Sequence, residues 1–193
     1  DKTAVTVDGC VLSEFDIKVS PHDNDQNQWY LGARPLNGLK IGSLNGSYLA
    51  GTSYCNFRNT KIGGMIGGYG IYAEHCLGNN FFSGGVEFCN KGAVIASTSN
   101  YTRFFGFNLE EDVIIDVEDA GKGTEFHGVD TQKAFLIGAA SLMIGGNHDK
   151  VDVASASSNV TLNGIKFAKG MGANGLTLGS STAIARDCVD QRT

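Results

Sequence analysis

Phe82-Ser-Gly-Gly-Val86-Glu-Phe88, Phe105-Gly-Phe107-Asn-Leu109-Glu110 and Phe126-His-Gly-Val129-Asp130 are three forms of one phrase, beginning 23 and 21 residues apart. A second apolar phrase recurs between them: Gly70-Ile-Tyr-Ala73, Gly92-Ala-Val-Ile-Ala96, Asp112-Val-Ile-Ile115 and Lys133-Ala-Phe-Leu-Ile137. Self-similarity at a period of roughly 20–50 residues marks one unit stacked on itself, and each unit here is two short strands with turns between.

Outward from this stretch the phrase continues in both directions. Phe15-Asp-Ile17-Lys-Val19 precedes a polar excursion from Ser20 to Tyr30, and Leu39-Lys-Ile41 and Thr60-Lys-Ile62 follow it. Leu39, Thr60, Phe82, Phe105 and Phe126 are 21, 22, 23 and 21 residues apart. That span suits one coil of a parallel solenoid and is too short for a strand plus crossover helix, which needs more than ~30 residues. No apolar stripe of helical period interrupts it. Asn59, Asn79-Asn80 and Asn100 precede strand phrases and suit corners, because Asn tolerates the left-handed conformation. After Val129 the rhythm loosens: Asn147-His-Asp-Lys150 and Ser155-Ala-Ser-Ser158 read as a protruding loop. Gly175-Leu-Thr-Leu178 reads as the last echo, and Ile184-Ala-Arg-Asp-Cys188 as a short helix or part of a tail over 179–193.

The 193 residues fit one domain, and their 27 glycines are about twice the ordinary ~7%, spread over turn positions. Charged residues make up 18% with a net charge of −5 and no basic run, which argues against a nucleic-acid partner. No apolar stretch approaches the ~18 residues of a membrane-spanning helix. The chain opens on strand-like Ala4-Val-Thr-Val7 without an initiator Met or leader, so an internal or C-terminal piece of a longer protein is expected. Its five cysteines lack metal-ligand spacing. Buried thiols are expected, with a Cys55–Cys76 bridge as the alternative. The sequons at Asn45, Asn100 and Asn159 matter only in a secreted eukaryotic protein.

Alternation assigns faces. Phe15, Leu39, Thr60, Phe82, Phe105 and Phe126 are expected inward, followed by Ile17, Ile41, Ile62, Gly84, Phe107 and Gly128. The pile of Phe82, Phe105 and Phe126 is the principal core expectation, and burial of each ring is worth about 1.5–3 kcal/mol.

Two longer phrases carry a resemblance. Gly70-Ile-Tyr-Ala-Glu-His-Cys-Leu-Gly-Asn-Asn-Phe-Phe82 and Val86-Glu-Phe-Cys-Asn-Lys-Gly-Ala-Val-Ile95 look like right-handed parallel β-helix proteins of the pectate-lyase type. They are most similar to bacteriophage tailspikes and capsule depolymerases. The resemblance covers roughly residues 4 to 178 and implies an all-β, single-stranded parallel β-helix of about seven or eight turns. It matches no catalytic motif residue by residue, and the fold hosts lyases, hydrolases, epimerases and plain shafts.

Outward positions supply the candidate chemistry. Gly42, Gly63 and Gly85, followed by Asn108, form a bare column where another chain or a sugar can approach the backbone. The next column reads Leu44, Met65, Glu87 and Glu110, with Asp130 nearby. Leu44 and Met65 suggest an interface patch. Glu87 over Glu110 places two carboxylates one coil apart, as acid and base, or acid and nucleophile, of glycosidic cleavage. The same pair also fits a solvated acidic ladder. Asp130, His127, Tyr72 and Tyr101 are the expected sugar contacts. Trp29-Tyr30 can plug the polar loop or stack on sugars. Glu110-Glu-Asp112 and Asp116-Val-Glu-Asp119 offer oxygens for calcium, but lack the repeating Asp/Gly pattern and read as solvated corners. Gly63-Gly-Met-Ile-Gly-Gly68 lacks the Lys-Ser/Thr of a phosphate loop, and no cofactor or metal is expected.

The expectation is part of a trimeric, extracellular or virion-tail spike that recognises bacterial surface polysaccharide, with depolymerisation by hydrolysis or β-elimination a property of the whole spike. The alternatives are a shaft without an active site and a secreted monomeric lyase or epimerase.

Overall fold

The computed structural model describes residues 3–19, 22–23, 28–29, 37–43, 46, 51–64, 68–110, 114–167 and 175–190. Leu44, Met65, Tyr30, Glu111 and Asp112 lie outside them, as does the Trp29 side chain. Among the described residues there are strands and corners but no helix.

The strands of the main sheet pair in parallel from one coil to the next, giving a solenoid-like sheet compatible with a parallel β-helix. The first face stacks β2 (Glu14–Val19), β6 (Asn56–Gly63), β8 (Asn80–Glu87), β10 (Arg103–Glu110), β12 (Glu125–His127), β14 (Leu142–Ile144), β16 (Thr161–Asn163) and β19 (Ile184–Arg186). The second stacks β1 (Thr3–Asp8), β5 (Asn37–Gly42), β7 (Tyr69–Ala73), β9 (Lys91–Ile95), β11 (Ile115–Asp119), β13 (Asp130–Leu136), β15 (Asn147–Val153) and β18 (Leu176–Leu178). A third face is made by the C-terminal halves of β6, β8 and β10, the first residues of β13 and β15, and β17 (Lys166–Phe167) and β20 (Val189–Asp190). The polar excursion carries a small antiparallel pair, β3 (His22–Asp23) and β4 (Gln28–Trp29).

The coil length is not constant. Register partners Asn80, Arg103, Glu125, Leu142, Thr161 and Ile184 are 23, 22, 17, 19 and 23 residues apart. Where the sequence rhythm loosens, the coil shortens and persists. Asn147–Val153 is therefore a strand rather than a loop, and Ile184–Arg186 is a strand rather than a helix.

Two lines of left-handed residues bend every coil. Leu12, Tyr54, Gly78, Tyr101, Gly123, Ala140 and Asn159 have φ of 53–67° and lead into the first face. Asn59, Ser83, Gly106, Gly128, Gly145, Gly164 and Asp187 have φ of 51–64° and separate the first face from the third. Gly, Asn and Asp recur because they bear this conformation at least cost. Within the first line, the backbone N–H from Leu12 to Ala140 donates to the preceding residue's column one coil on, as Tyr54 N does to Leu77 O at 2.8 Å and Tyr101 N to Lys122 O at 2.8 Å, while Asn159 N donates to Thr182 Oγ1 at 3.0 Å.

The second corner overturns the expected core pile. A left-handed residue interrupts strict alternation, so Phe82 and Ser83 both face away from the core while Phe81 points in. Phe15, Phe57, Phe81, Phe104 and Phe126 form the internal stack, with ring centroids 5.1, 4.7, 4.7 and 5.4 Å apart. All but Phe15 are fully buried. Phe82 and Phe105 stack outside instead, 5.0 Å apart, and the rung after Phe105 is His127, not Phe126. Leu39 belongs to the second face, paired with Val5 and Ile71, rather than beneath Thr60.

Polar groups also enter the interior. Asn79 is buried, accepting from Cys55 N at 2.9 Å and donating to Thr52 O at 2.9 Å. Asp116 and Asp119, expected at solvated corners, are buried as well. Asp116 Oδ2 accepts from the backbone of Gln132 and Lys133, and Asp119 accepts from Gly121 N, Thr124 Oγ1 and Ser141 Oγ. The five cysteines are free thiols, with Cys55, Cys76 and Cys89 buried.

Candidate functional site

Past the second corner the strand resumes alternation, so Gly84 and Val86 point in while Gly85 and Glu87 point out. The register there agrees with the sequence for three pairs: Gly84 with Phe107, Gly85 with Asn108 and Glu87 with Glu110. It differs for others. Gly63 stands beside Glu87, Lys61 beside Gly85, and Gly42 belongs to the second face, so the glycines do not form one column. Asp130 pairs with Asn108, one column away from Glu110.

An open cleft of about 520 Å³ lies on this third face, lined by Lys61, Gly63, Gly84, Gly85, Glu87 and Asn108 among others. Its floor is bare for a steric reason. A Cβ on inward Gly84 (φ +132°) would stand 2.1 Å from the Thr60 carbonyl oxygen, so glycine lets this rung close on the one before it, and outward Gly85 leaves the surface without a side chain. A Cβ on Gly85 would stand 3.1 Å from the Asn108 carbonyl oxygen. The backbones close up, and the surface above them is left hollow.

Glu87 lines this hollow and is exposed, whereas Glu110 is half-buried in the next rung. Parallel neighbours in register are ~4.8 Å apart at the backbone, so side-chain rotamers alone set whether the carboxyl groups stand close or splayed. Asn108 adds a polar wall. Its Oδ1 is buried and has no hydrogen-bond partner among the described residues.

The other expected contacts are dispersed. Asp130 Oδ1 accepts from Asn147 N at 2.8 Å and Asn147 Nδ2 at 3.0 Å, which ties it to the following rung. His127 lies on the first face, stacked 4.9 Å from Phe105 and 2.9 Å from Glu125 Oε2. Burial works to raise the Glu125 pKa, but hydrogen bonds from His127 and Arg103 hold it below the usual carboxylate range. Tyr72 is on the second face, its ring 4.8 Å from Tyr69 and under the Lys40 ammonium at 5.9 Å. Burial pushes the Tyr72 phenol up, and neighbouring Glu74 adds to the shift. Tyr101 stands on the first corner, exposed.

The structure therefore brings Glu87 and Glu110 together, with Asp130 close by, and keeps Tyr72, Tyr101 and His127 on other surfaces. Lys61 was missed as a cleft residue. The signal for it was its place two residues after the left-handed Asn59, equivalent to Gly85 after Ser83. No family model matches the chain, and neither a curated protein nor a solved structure matches it.

Proposed function

We propose that the chain is a right-handed parallel β-helix of seven or eight turns from a tailspike-like protein, and that its third-face cleft binds bacterial surface polysaccharide. The right hand follows from the strong preference of parallel crossovers, about 98%. The observation that carries the reading is the backbone-floored cleft with Glu87 on its wall and Glu110 in register behind it. One carboxylic acid protonates the glycosidic oxygen; the other activates water or attacks the sugar. Carboxyl groups about 5–5.5 Å apart give retention, and about 6.5–9.5 Å inversion. β-Elimination from a uronic acid is the alternative chemistry. The spike is read as a homotrimer acting outside the cell on the virion tail.

The test is release of reducing ends and of unsaturated product from a panel of bacterial capsules and lipopolysaccharide O-chains. Glu87→Gln and Glu110→Gln should each lower release by about 10²–10⁴-fold while leaving binding. Release at the wild-type rate by both variants removes the catalytic half of the proposal.

A second reading is a shaft without its own active site, and the first face favours it. There Arg58 covers Phe82 at 5.1 Å, Phe82 covers Phe105 and Phe105 covers His127, while Arg103 pairs with Glu125 at 3.1 Å. Those ring faces are occupied by one another, which stiffens the coil and leaves only ring edges to solvent. Polysaccharide bound without product by the wild-type trimer supports this reading.

A further inference from the structure

The first left-handed corner carries a feature separate from the cleft. In consecutive rungs it reads Leu12, Tyr54, Gly78, Tyr101 and Gly123, because their preceding residues Val11, Ser53, Leu77, Asn100 and Lys122 are bridged in parallel. Tyr54 and Tyr101 are 52% and 46% exposed. Each ring leans over the glycine of the next rung. A Cβ on Gly78 would stand 2.8 Å from the Tyr54 ring, and one on Gly123 2.7 Å from the Tyr101 ring. The glycines thus seat the rings, and both rings lean the same way along the corner.

Two rungs separate the rings, on the order of 10 Å at the ladder spacing. That is the stride between alternate sugars of an extended, two-fold glycan strand. The flanks carry the polar groups such a strand needs. On one side Asn80 Nδ2 donates to Asn56 Oδ1 at 3.0 Å, an amide pair with donors and an acceptor to spare. On the other stand Ser53 and Asn100, both half-buried. Of the nearby cations, Arg103 is held by Glu125, while exposed Lys122 beside Asn100 offers a donor to a sugar hydroxyl. Neither tyrosine hydroxyl has a hydrogen-bond partner among the described residues. An amphipathic ring with a free hydroxyl suits a sugar, which offers an apolar face and a polar rim.

We infer that this corner is a second glycan-binding edge, holding an extended 1,4-linked oligosaccharide along the solenoid axis with alternate sugars on Tyr54 and Tyr101. It shares the ligand class proposed for the cleft but none of its residues.

Tyrosine nitration mapped by mass spectrometry tests it, with cellohexaose and chitohexaose as probes and curved maltohexaose as comparison. Either extended probe should slow nitration of Tyr54 and Tyr101 severalfold and leave the mutually stacked Tyr69 and Tyr72 unchanged. Tyr54→Asn and Tyr101→Asn remove the rings while keeping a residue suited to φ > 0, and each should weaken probe binding about tenfold. Protection by neither extended probe, equal protection by maltohexaose, or unchanged binding by both Asn variants overturns the inference. So does protection that rises with protein concentration alone, which would assign the edge to a second copy. Failure of the Glu87 and Glu110 variants to alter polysaccharide cleavage leaves this readout intact, so the two sites stand or fall separately.

Discussion

The interior holds two ionisable groups whose effects on stability oppose each other, and removing either should tilt the pH profile in a predictable direction. Asp119, fully buried, has its pKa pushed by burial from 3.8 to about 6, against hydrogen bonds from Ser141, Thr124 and Gly121 that favour the ion. His148, also buried, is pushed by burial from 6.5 to about 4, against its contact with Gly145 O and the Asp130 charge. Its Nδ1 is 2.8 Å from Thr131 Oγ1.

The folded pKa of Asp119 is raised. Its contribution is therefore fully present below the unfolded value of 3.8 and is lost as pH rises through about 6. The folded pKa of His148 is depressed, so its contribution is present above the unfolded value of 6.5 and is lost as pH falls through about 4. Each full shift is worth about 3 kcal/mol. Over pH 5 to 7 the two nearly cancel in the wild type, to within about 1 kcal/mol. Asp119→Asn removes one arm, so stability should fall by about 2 kcal/mol from pH 7 to pH 5. His148→Gln removes the other, so stability should rise by about 1.5 kcal/mol over the same interval. Urea unfolding followed by far-ultraviolet circular dichroism at the two pH values reads both. The slope, not the absolute stability, is the diagnostic, because any cavity or lost hydrogen bond shifts both pH values together. Variants whose pH dependence runs parallel to wild type refute the placement of these two groups in the interior.

Other substitutions probe the register and the corners. Phe104→Ala, in the middle of the internal stack, should cost about 3–5 kcal/mol, whereas its outward neighbour Phe105→Ala should cost about 0.5–1.5 kcal/mol; chemical denaturation ranks them. Gly128→Ala meets no atom within 4 Å, so only its left-handed φ of 59° opposes it, at about 1–2 kcal/mol. Gly84→Ala adds a collision with Thr60 O and should lower the yield of folded protein well beyond that, read by melting temperature and soluble expression. A thiol reagent should modify half-buried Cys10 and Cys188 in the native state and spare Cys55, Cys76 and Cys89. Burial raises the Cys76 thiol to about 12, so it stays protonated as well as covered.

The repeat was legible because glycine and phenylalanine mark it, and the parallel stacking followed from its length. The Glu87–Glu110 pairing was legible too, since plain alternation holds past the corner. Phase in the first face was not. Phe81-Phe82 and Phe104-Phe105 are doublets, but the next rung has the single Phe126 followed by His127. Aligning the second member of each doublet with Phe126 moves that rung by one residue and turns its faces inside out. The left-handed residues were the better anchor. Gly106, Gly128, Gly145 and Gly164 keep the rung through the shorter coils, where the aromatic pattern fades to Met143 and Leu162. Burial of Asp116, Asp119 and His148 was not read from the sequence, because Gln132 and Lys133, Ser141, and Thr131, which help to hold them, come from neighbouring coils.

The same corner explains why the carboxylates and the bare floor share a face. Before the turn, outward side chains are large and stack rung upon rung, so the first face closes over itself from Arg58 to His127. The left-handed residue then swings the chain, bringing Gly84 against the Thr60 backbone, where a side chain would collide. The outward places that follow are Gly85, which puts no side chain on the surface, and Glu87. The function proposed above assigns this carboxylate beside exposed backbone to gripping an extended polymer and acting on a bond within it. Filling the hollow without disturbing the ladder separates these roles. Lys61 lines the cleft with its neighbours on an outward column, so Lys61→Trp should obstruct polymer access while leaving the coil's melting temperature within a few degrees. On the proposed function, polysaccharide binding should then fall together with cleavage. Unchanged binding alongside a filled cleft would move the polymer to another surface.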